Sequence, residues 1–284
     1  MKLKGFQTRE FTSEVGIGLI SLMEGIGSEA AYERAQANYA CFDSKDNRFY
    51  VLQKVYPPVA QRIQQTTSES EMPHVEEMLV DLIKLIMTLS LVRLFKEGDI
   101  RAPLAYGLII EDRKPRRLIK QFATNTLVSR IPFELKKEEL APLNEFLKSN
   151  SLPLANTFLN RPFKYFEDSY ATHSNELAFT SLMIGLECLF HRPRTKPISK
   201  EVPENCAALL SADDSGREMI RTNLTVLYEK RSNALHEGES ITKDEILMLR
   251  DYLRQSIKKA LQFNLGATEL KRWTLPTRGN QDQK

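Results

Sequence analysis

One stretch of the sequence, residues 215–238, constrains the rest of the chain more than any other. Its apolar residues recur at helical spacing, at Ile220, Leu224, Leu227 and Leu235. Ser215 and Glu218 have the spacing of a capping box, which predicts a helix start, and Gly238 stands where a helix stop is expected. The stretch therefore predicts one long helix that ends at Gly238.

The predicted helix ends in a polar cluster that suits phosphodiester cleavage. Arg231 is permanently cationic, and its planar fork matches a phosphate. His236 titrates near neutral pH and can transfer a proton to or from a hydroxyl. At ~100° per residue the two positions diverge by roughly 140°, so they border one pocket only if a partner packs there or the last turn loosens. A structural role also fits, because cations in the last turn complement the helix dipole.

The segment LYEKRSNALHEG at 227–238 resembles the Arg-x4-His signature of the HEPN superfamily, and specifically its Apea-like branch. The segment NELAFTSLMIGLECLF at 175–190 is similar to the helix that precedes the motif in that branch. The resemblance covers residues 165–265, about a third of the chain.

The resemblance implies a metal-independent endoribonuclease that works as a homodimer, with a composite site where two motif-bearing helix ends meet. It assigns Arg231 to the scissile phosphate, His236 to acid or base catalysis on the 2′-hydroxyl or leaving group, and Asn233 to orienting either of them. Glu187, Ser232 and Tyr228 are the expected supporting residues. The expected product carries a 2′,3′-cyclic phosphate, and neither a cofactor nor a metal is expected.

The same resemblance implies a prokaryotic setting in phage defence or toxin–antitoxin growth control. RNA is then the substrate, and an antitoxin or regulatory protein is a further expected partner. A second class of function stays open, because HEPN-like bundles also occur as non-catalytic dimerisation or partner-binding modules. A DNA-binding regulator is a third hypothesis, but the sequence has no helix-turn-helix signature.

Glu187 is the exception within an apolar helical segment. An isolated buried carboxylate is costly, so Arg231 or His236 is expected to pair with it, unless Glu187 lies on an exposed edge. In the same segment, Gly185 is predicted to let another helix approach closely.

Composition excludes several classes of protein. A net charge of +3 argues against a general nucleic-acid-coating protein. The three cysteines, Cys41, Cys188 and Cys206, are far apart and lack zinc spacing, which fits a reducing cytoplasm. The most apolar window, 78–95, contains charged residues, so no membrane span is expected.

The fold class is predicted to be mainly α. Residues 151–265 are expected to form a HEPN-like helical bundle, with helices at 175–190 and from a second capping box at Thr242 and Glu245 to about 265. Residues 191–205 read as a connector rich in Pro and Lys, and 266–284 as a polar tail.

The N-terminal region, 1–150, is predicted to be α+β or mostly helical, with a sensor or regulatory role. It contains an expected loop near 64–73, a helix at 73–97, and strands at 48–56 and 104–110.

Candidate RNA contacts lie in two places. They are a basic run after the second predicted strand and the start of the connector: Arg113, Lys114, Arg116, Arg117, His191 and Arg192. Such residues can contact phosphates, and the alternative is a solvated loop or helix face.

Overall fold

A computed structural model of the chain describes residues 2–3, 6–12, 48–53, 73–98, 100, 105–111, 114–121, 131, 133–172, 174–191 and 197–274. The strands and residues 73–79, 81–82, 85, 235–237 and 271–274 are described by their backbone. The fold is mainly α, as predicted. It divides into two compact units: one holds Met1–Thr88, Ala102–Ala123 and Leu140–Ser149, and the other holds Leu89–Arg101, Thr124–Glu139 and Asn150–Lys284.

Among the residues that the structure describes, the first unit contains two antiparallel sheets. One has the strand order β1 (Lys2–Leu3), β2 (Phe6–Thr12) and β3 (Arg48–Gln53). Helix α1 (Pro73–Phe95) follows, with its residues from Leu89 onward in the second unit. The other sheet pairs β4 (Ala105–Glu111) with β5 (Lys114–Gln121). Lys114, Arg116 and Arg117 of the basic run thus lie in a strand rather than in a loop or helix. Helix α2 spans Leu140–Ser149.

The second unit is a bundle built around one buried helix, α4 (Asn175–Phe190), whose bounds match the prediction. Its neighbours are α3 (Asn160–Asp168), α5 (Ile198–Leu210), α7 (Lys243–Gln262) and α8 (Ala267–Thr274). The motif helix is α6 (Asp214–Glu237), which packs on α5. No helix among the described residues combines the length and apolar character needed to cross a membrane.

Apolar residues around most of its circumference place α4 at the centre. Eight of its residues are buried: Ala178, Phe179, Leu182, Met183, Gly185, Leu186, Leu189 and Phe190. A Cβ on Gly185 would lie 2.5 Å from Leu253 Cδ2 of α7. The predicted close approach at Gly185 is therefore confirmed, and α7 is the helix that approaches.

Both ends of α6 are defined by capping groups. Gly238 has a φ of 73°, in the left-handed region, and ends the helix as predicted. The predicted start is wrong: Asp213 is the N-cap, and its Oδ1 accepts from the Gly216 backbone N–H at 2.7 Å. Asp213 displaces Ser215 because Ser211 Oγ also donates to its carboxylate, at 3.0 Å.

The predicted connector, 191–205, is wrong in its second half, because α5 begins at Ile198. Pro203 lacks an N–H and removes one bond from the interior of this helix. The helix forms nonetheless because it buries an apolar face that includes Val202, Pro203 and Cys206.

The second unit also extends beyond the predicted bundle, 151–265. Helix α8 occupies part of the predicted tail, and its Leu270 is fully buried. The end of α1 joins the same unit through charged contacts: Arg93 Nη2 donates to Glu167 Oε2 of α3 at 2.6 Å. A continuous stretch of sequence therefore does not describe this unit.

A buried arginine joins three elements of the bundle. The side chain of Arg250, in α7, is 1% exposed. Its Nε donates to Ser169 Oγ at 3.1 Å, and its Nη2 donates to the Ser169 carbonyl at 3.0 Å. Its Nη1 lies 3.4 Å from Glu97 Oε1, and its guanidinium lies 4.0 Å from the centre of the Tyr170 ring. The buried charge is thus matched by a carboxylate and an aromatic face.

We expect Arg250→Ala to lower the free energy of unfolding by about 3–5 kcal/mol, because it leaves the half-buried Glu97 carboxylate and the buried Ser169 with fewer donors. Urea unfolding followed by circular dichroism measures the change. Lys243→Ala, at an exposed position of the same helix, is the control and should change it by less than about 0.5 kcal/mol. Equal effects of the two substitutions would contradict the role given to Arg250.

Candidate active site

The end of the motif helix is fixed to the start of α7 by charged and polar contacts. Lys230 Nζ lies 3.0 Å from Glu239 Oε1 and 2.8 Å from Glu245 Oε1. Hydrogen bonds from Lys230 to these two carboxylates raise its pKa. Thr242 and Glu245 form the predicted capping box, which is confirmed. Asn175 Nδ2 of α4 donates to the Ile241 carbonyl at 2.9 Å. The turn after the motif is therefore held from both sides.

The Glu245 carboxyl shows the electrostatic character of this turn. Its partial burial alone would raise its pKa. The bond from Lys230 and the bonds from Thr242 outweigh burial, and the net pKa of Glu245 is lowered. The carboxylate is thus stabilised in its charged form at the C-terminal end of the motif helix.

Arg231 lies against Glu187. Its Nη1 donates to Glu187 Oε1 of α4, and the two side chains are 27% and 18% exposed. The expectation that Glu187 pairs with a motif residue is therefore confirmed, with Arg231 as the partner. One carboxylate oxygen therefore positions the guanidinium, and the Arg231 side chain as a whole stays partly exposed.

Tyr228 lies one turn before Arg231 and is buried. Its hydroxyl has no hydrogen-bond partner among the described residues. Burial raises the pKa of Tyr228, and the nearby Glu187 charge raises it further, while Arg231 acts in the opposite direction. The phenol is thus neutral at physiological pH, and its hydroxyl lies beside the Glu187 carboxylate of the Arg231–Glu187 pair.

The remaining motif residues lie further around the same helix. Ser232 and Asn233 are exposed. The His236 backbone belongs to α6, and its side chain lies outside the described part of the structure. Because α6 is continuous through Glu237, the last turn does not loosen. Positions 231 and 236 therefore stay roughly 140° apart around the helix.

A groove between α5 and α6 lies beside the motif. Its volume is about 510 Å³, and Tyr228 and Ser232 are among the residues that line it. Lys200 and Arg221 also line it, and neither was predicted from the sequence. Lys200 was not predicted to line a site because it lies in the segment that was taken for a connector. The helical spacing of the apolar residues Val202, Cys206 and Leu209 is the sequence signal that predicts helix α5 here.

The other candidate RNA contacts are not brought to Arg231 by any described contact. His191 Nδ1 lies 2.9 Å from Glu201 Oε2, a buried carboxylate of α5. Lys114, Arg116 and Arg117 have their backbone in β5, and their side chains lie outside the described part of the structure. Arg113 and Arg192 lie outside the described residues altogether.

Within the described ranges, no group of three or more His, Cys, Asp or Glu side chains is arranged to hold a metal ion. No family model matches the chain, and neither a curated protein nor a solved structure matches it. The resemblance to the HEPN superfamily therefore rests on the sequence motif.

We expect Tyr228→Phe to leave the free energy of unfolding unchanged or to raise it by up to about 1 kcal/mol, because the substitution removes a buried hydroxyl without a partner. The matched control is Tyr252→Phe, whose hydroxyl accepts from Asn223 Nδ2 at 3.0 Å. That variant should lose about 1 kcal/mol. Urea unfolding of both variants is the measurement, and a larger loss for Tyr228→Phe would show that its hydroxyl has a partner in solution.

Proposed function

We propose that this chain is a metal-independent endoribonuclease of the HEPN type that works as a homodimer. The observation that supports this most is the position of Arg231: it lies in the C-terminal part of a long helix, bonds Glu187 and has a side chain that is 27% exposed. A phosphate can reach a cation held in this way, and Arg binds phosphate in a bidentate geometry. The resemblance of residues 227–238 to the HEPN motif supplies the reaction class.

The proposed reaction is an attack of the RNA 2′-hydroxyl on the adjacent phosphorus. Arg231 binds the non-bridging oxygens and stabilises their charge as the 2′-oxygen bonds to phosphorus. His236 accepts the hydroxyl proton or donates a proton to the leaving 5′-oxygen. The bond from phosphorus to the 5′-oxygen breaks, and the products are a 2′,3′-cyclic phosphate and a 5′-hydroxyl. No metal enters this scheme.

Glu187 and Asn233 have subsidiary roles in this proposal. Glu187 orients the guanidinium before RNA binds, so the phosphate meets a cation already in place. Asn233 is exposed two residues after Arg231 and can bind the phosphate or His236 through its amide. Ser232 and Tyr228 border the same region from the α5–α6 groove.

The homodimer is proposed from the separation of positions 231 and 236 around one continuous helix. A second copy can place its own motif end beside the first, so that an Arg of one chain serves with a His of the other. Two large apolar side chains of α6, Met219 and Val226, are 60% and 54% exposed. Burial of these side chains against a second copy would remove apolar surface from water.

Cleavage of a mixed pool of transfer, ribosomal and phage RNA in EDTA tests the activity. We expect the wild type to cleave and to leave cyclic-phosphate ends, while His236→Ala and Arg231→Ala lose roughly 10²–10⁴-fold and 10²–10³-fold in rate. Arg217→Ala, at an exposed position of the same helix, should cleave like the wild type. Equal cleavage by wild type and His236→Ala would identify a contaminating nuclease and remove the assignment.

Mixing the two inactive variants tests the composite site. Co-expressed Arg231→Ala and His236→Ala chains should recover part of the wild-type rate, because a mixed dimer keeps one intact Arg and one intact His at the same interface. Each variant alone is the control, and analytical ultracentrifugation checks that the mixture is dimeric. A dimeric mixture with no recovered activity would mean that both groups must come from one chain.

The second candidate is a non-catalytic HEPN-like dimerisation, partner-binding or RNA-binding module. The observation in its favour is that Glu187 already bonds Arg231, which lowers the charge available to a substrate. This function predicts RNA binding or dimerisation without cleavage. For the enzyme, the proposed setting is the cytoplasm of a prokaryote, in phage defence or toxin–antitoxin growth control. An antitoxin or regulatory protein would then restrain it.

A further inference from the structure

We propose that the groove between α5 and α6 is a nucleotide subsite, which holds the single-stranded RNA unit next to the scissile phosphate. This inference rests on the proposed ribonuclease function and extends it to a second set of residues.

The groove opens between the two catalytic positions of the motif helix. At ~100° per residue, Tyr228 lies about 60° and Ser232 about 100° from Arg231, both within the roughly 140° that separates positions 231 and 236. Both Tyr228 and Ser232 line the groove. A strand bound to Arg231 and extending toward position 236 therefore passes over this groove, and α5 forms its other wall.

The α5 wall offers an unpaired cation at the start of a helix. Lys200 lies in the first turn of α5 and is exposed. It makes no ion pair among the residues that the structure describes. The N-terminal end of a helix favours anions through its free N–H groups and dipole. Lys200 is therefore placed to bind the phosphate next to the one that Arg231 holds.

The groove as a whole suits a nucleotide rather than a bare polyanion. Arg221 faces it from α6, while Glu204 and Glu229 bring two carboxylates. Carboxylates accept hydrogen bonds from ribose hydroxyls and base amino groups, and they repel an unmatched phosphate chain. The volume of about 510 Å³ lies within the range of small-ligand sites. One ribonucleotide matches both kinds of charged group: its phosphate binds Lys200, and its ribose hydroxyls and base amino groups donate to the carboxylates.

Tyr228 contributes a buried aromatic side chain to the α6 wall of the groove. The side chain lines the groove and is 7% exposed. Because it is packed in the interior, this part of the wall has its shape before RNA arrives.

Binding of a short fluorescent oligoribonucleotide in EDTA tests the subsite, in chains that carry His236→Ala so that the probe stays intact. Adding Lys200→Glu should raise the Kd about tenfold and should lower the slope of log Kd against log salt by about one. The matched control is Lys164→Glu, the same charge change at an exposed position of α3, which should change Kd by less than about twofold. Equal effects of the two substitutions would overturn the subsite.

A second variant separates charge from shape. Thr225→Tyr fills the groove without changing its charge, and Thr225 lies outside the motif. It should weaken binding of the oligoribonucleotide, with circular dichroism confirming an intact fold; unchanged binding by the folded variant overturns the subsite. If Lys200→Glu weakens binding while the wild type never cleaves RNA, the groove binds RNA and the nuclease proposal fails. If the wild type cleaves and Lys200→Glu binds normally, the nuclease proposal stands and the subsite fails.

Discussion

The buried charge of Arg250 is the constraint on which the bundle depends. A guanidinium at 1% exposure is tolerable only where donors, acceptors and an aromatic face surround it. Those partners come from the end of α1, through Glu97, and from Ser169 and Tyr170 after α3. The end of α1 therefore belongs to the bundle although it lies far away in sequence. The same constraint fixes α7, whose Leu253 fills the space above Gly185 of α4.

The arrangement of α4 leads from this core to the candidate site. Most of α4 is apolar and buried, and Glu187 is the carboxylate that reaches the bundle's edge. Its pairing with Arg231 stabilises both side chains, because neither is fully hydrated. The motif helix gains a fixed guanidinium from this pair, and the α5–α6 groove lies directly beside it. Glu187 therefore belongs to the central helix of the bundle and also to the proposed catalytic site.

Local sequence signals predicted the parts of this site that depend on near neighbours. The bounds of α4, the stop at Gly238, the box at Thr242 and the pairing of Glu187 all follow from spacing, capping and the cost of burying charge. The predicted start of α6 was wrong because Asp213 and Ser215 are both good caps, and a local hydrogen bond from Ser211, two residues earlier, favours Asp213. The first part of helix α5 was not predicted, because Lys200 and Pro203 made the segment resemble a connector although it has an apolar face. Lys200 and the groove were missed with it.

The short turn after the motif has a consequence for the entropy of substrate binding. Lys230 bonds two carboxylates that follow Gly238, on Glu239 and Glu245. Thr242 caps the next helix, and Asn175 Nδ2 donates to the Ile241 carbonyl. The backbone between the two helices is therefore ordered before any ligand arrives. Flexible recognition loops lose conformational freedom when they close on a substrate, and this loss weakens their affinity. A motif that is held by such an ordered turn loses little conformational entropy when substrate binds. The free energy of its contacts with the substrate is therefore reduced less, and binding is tighter.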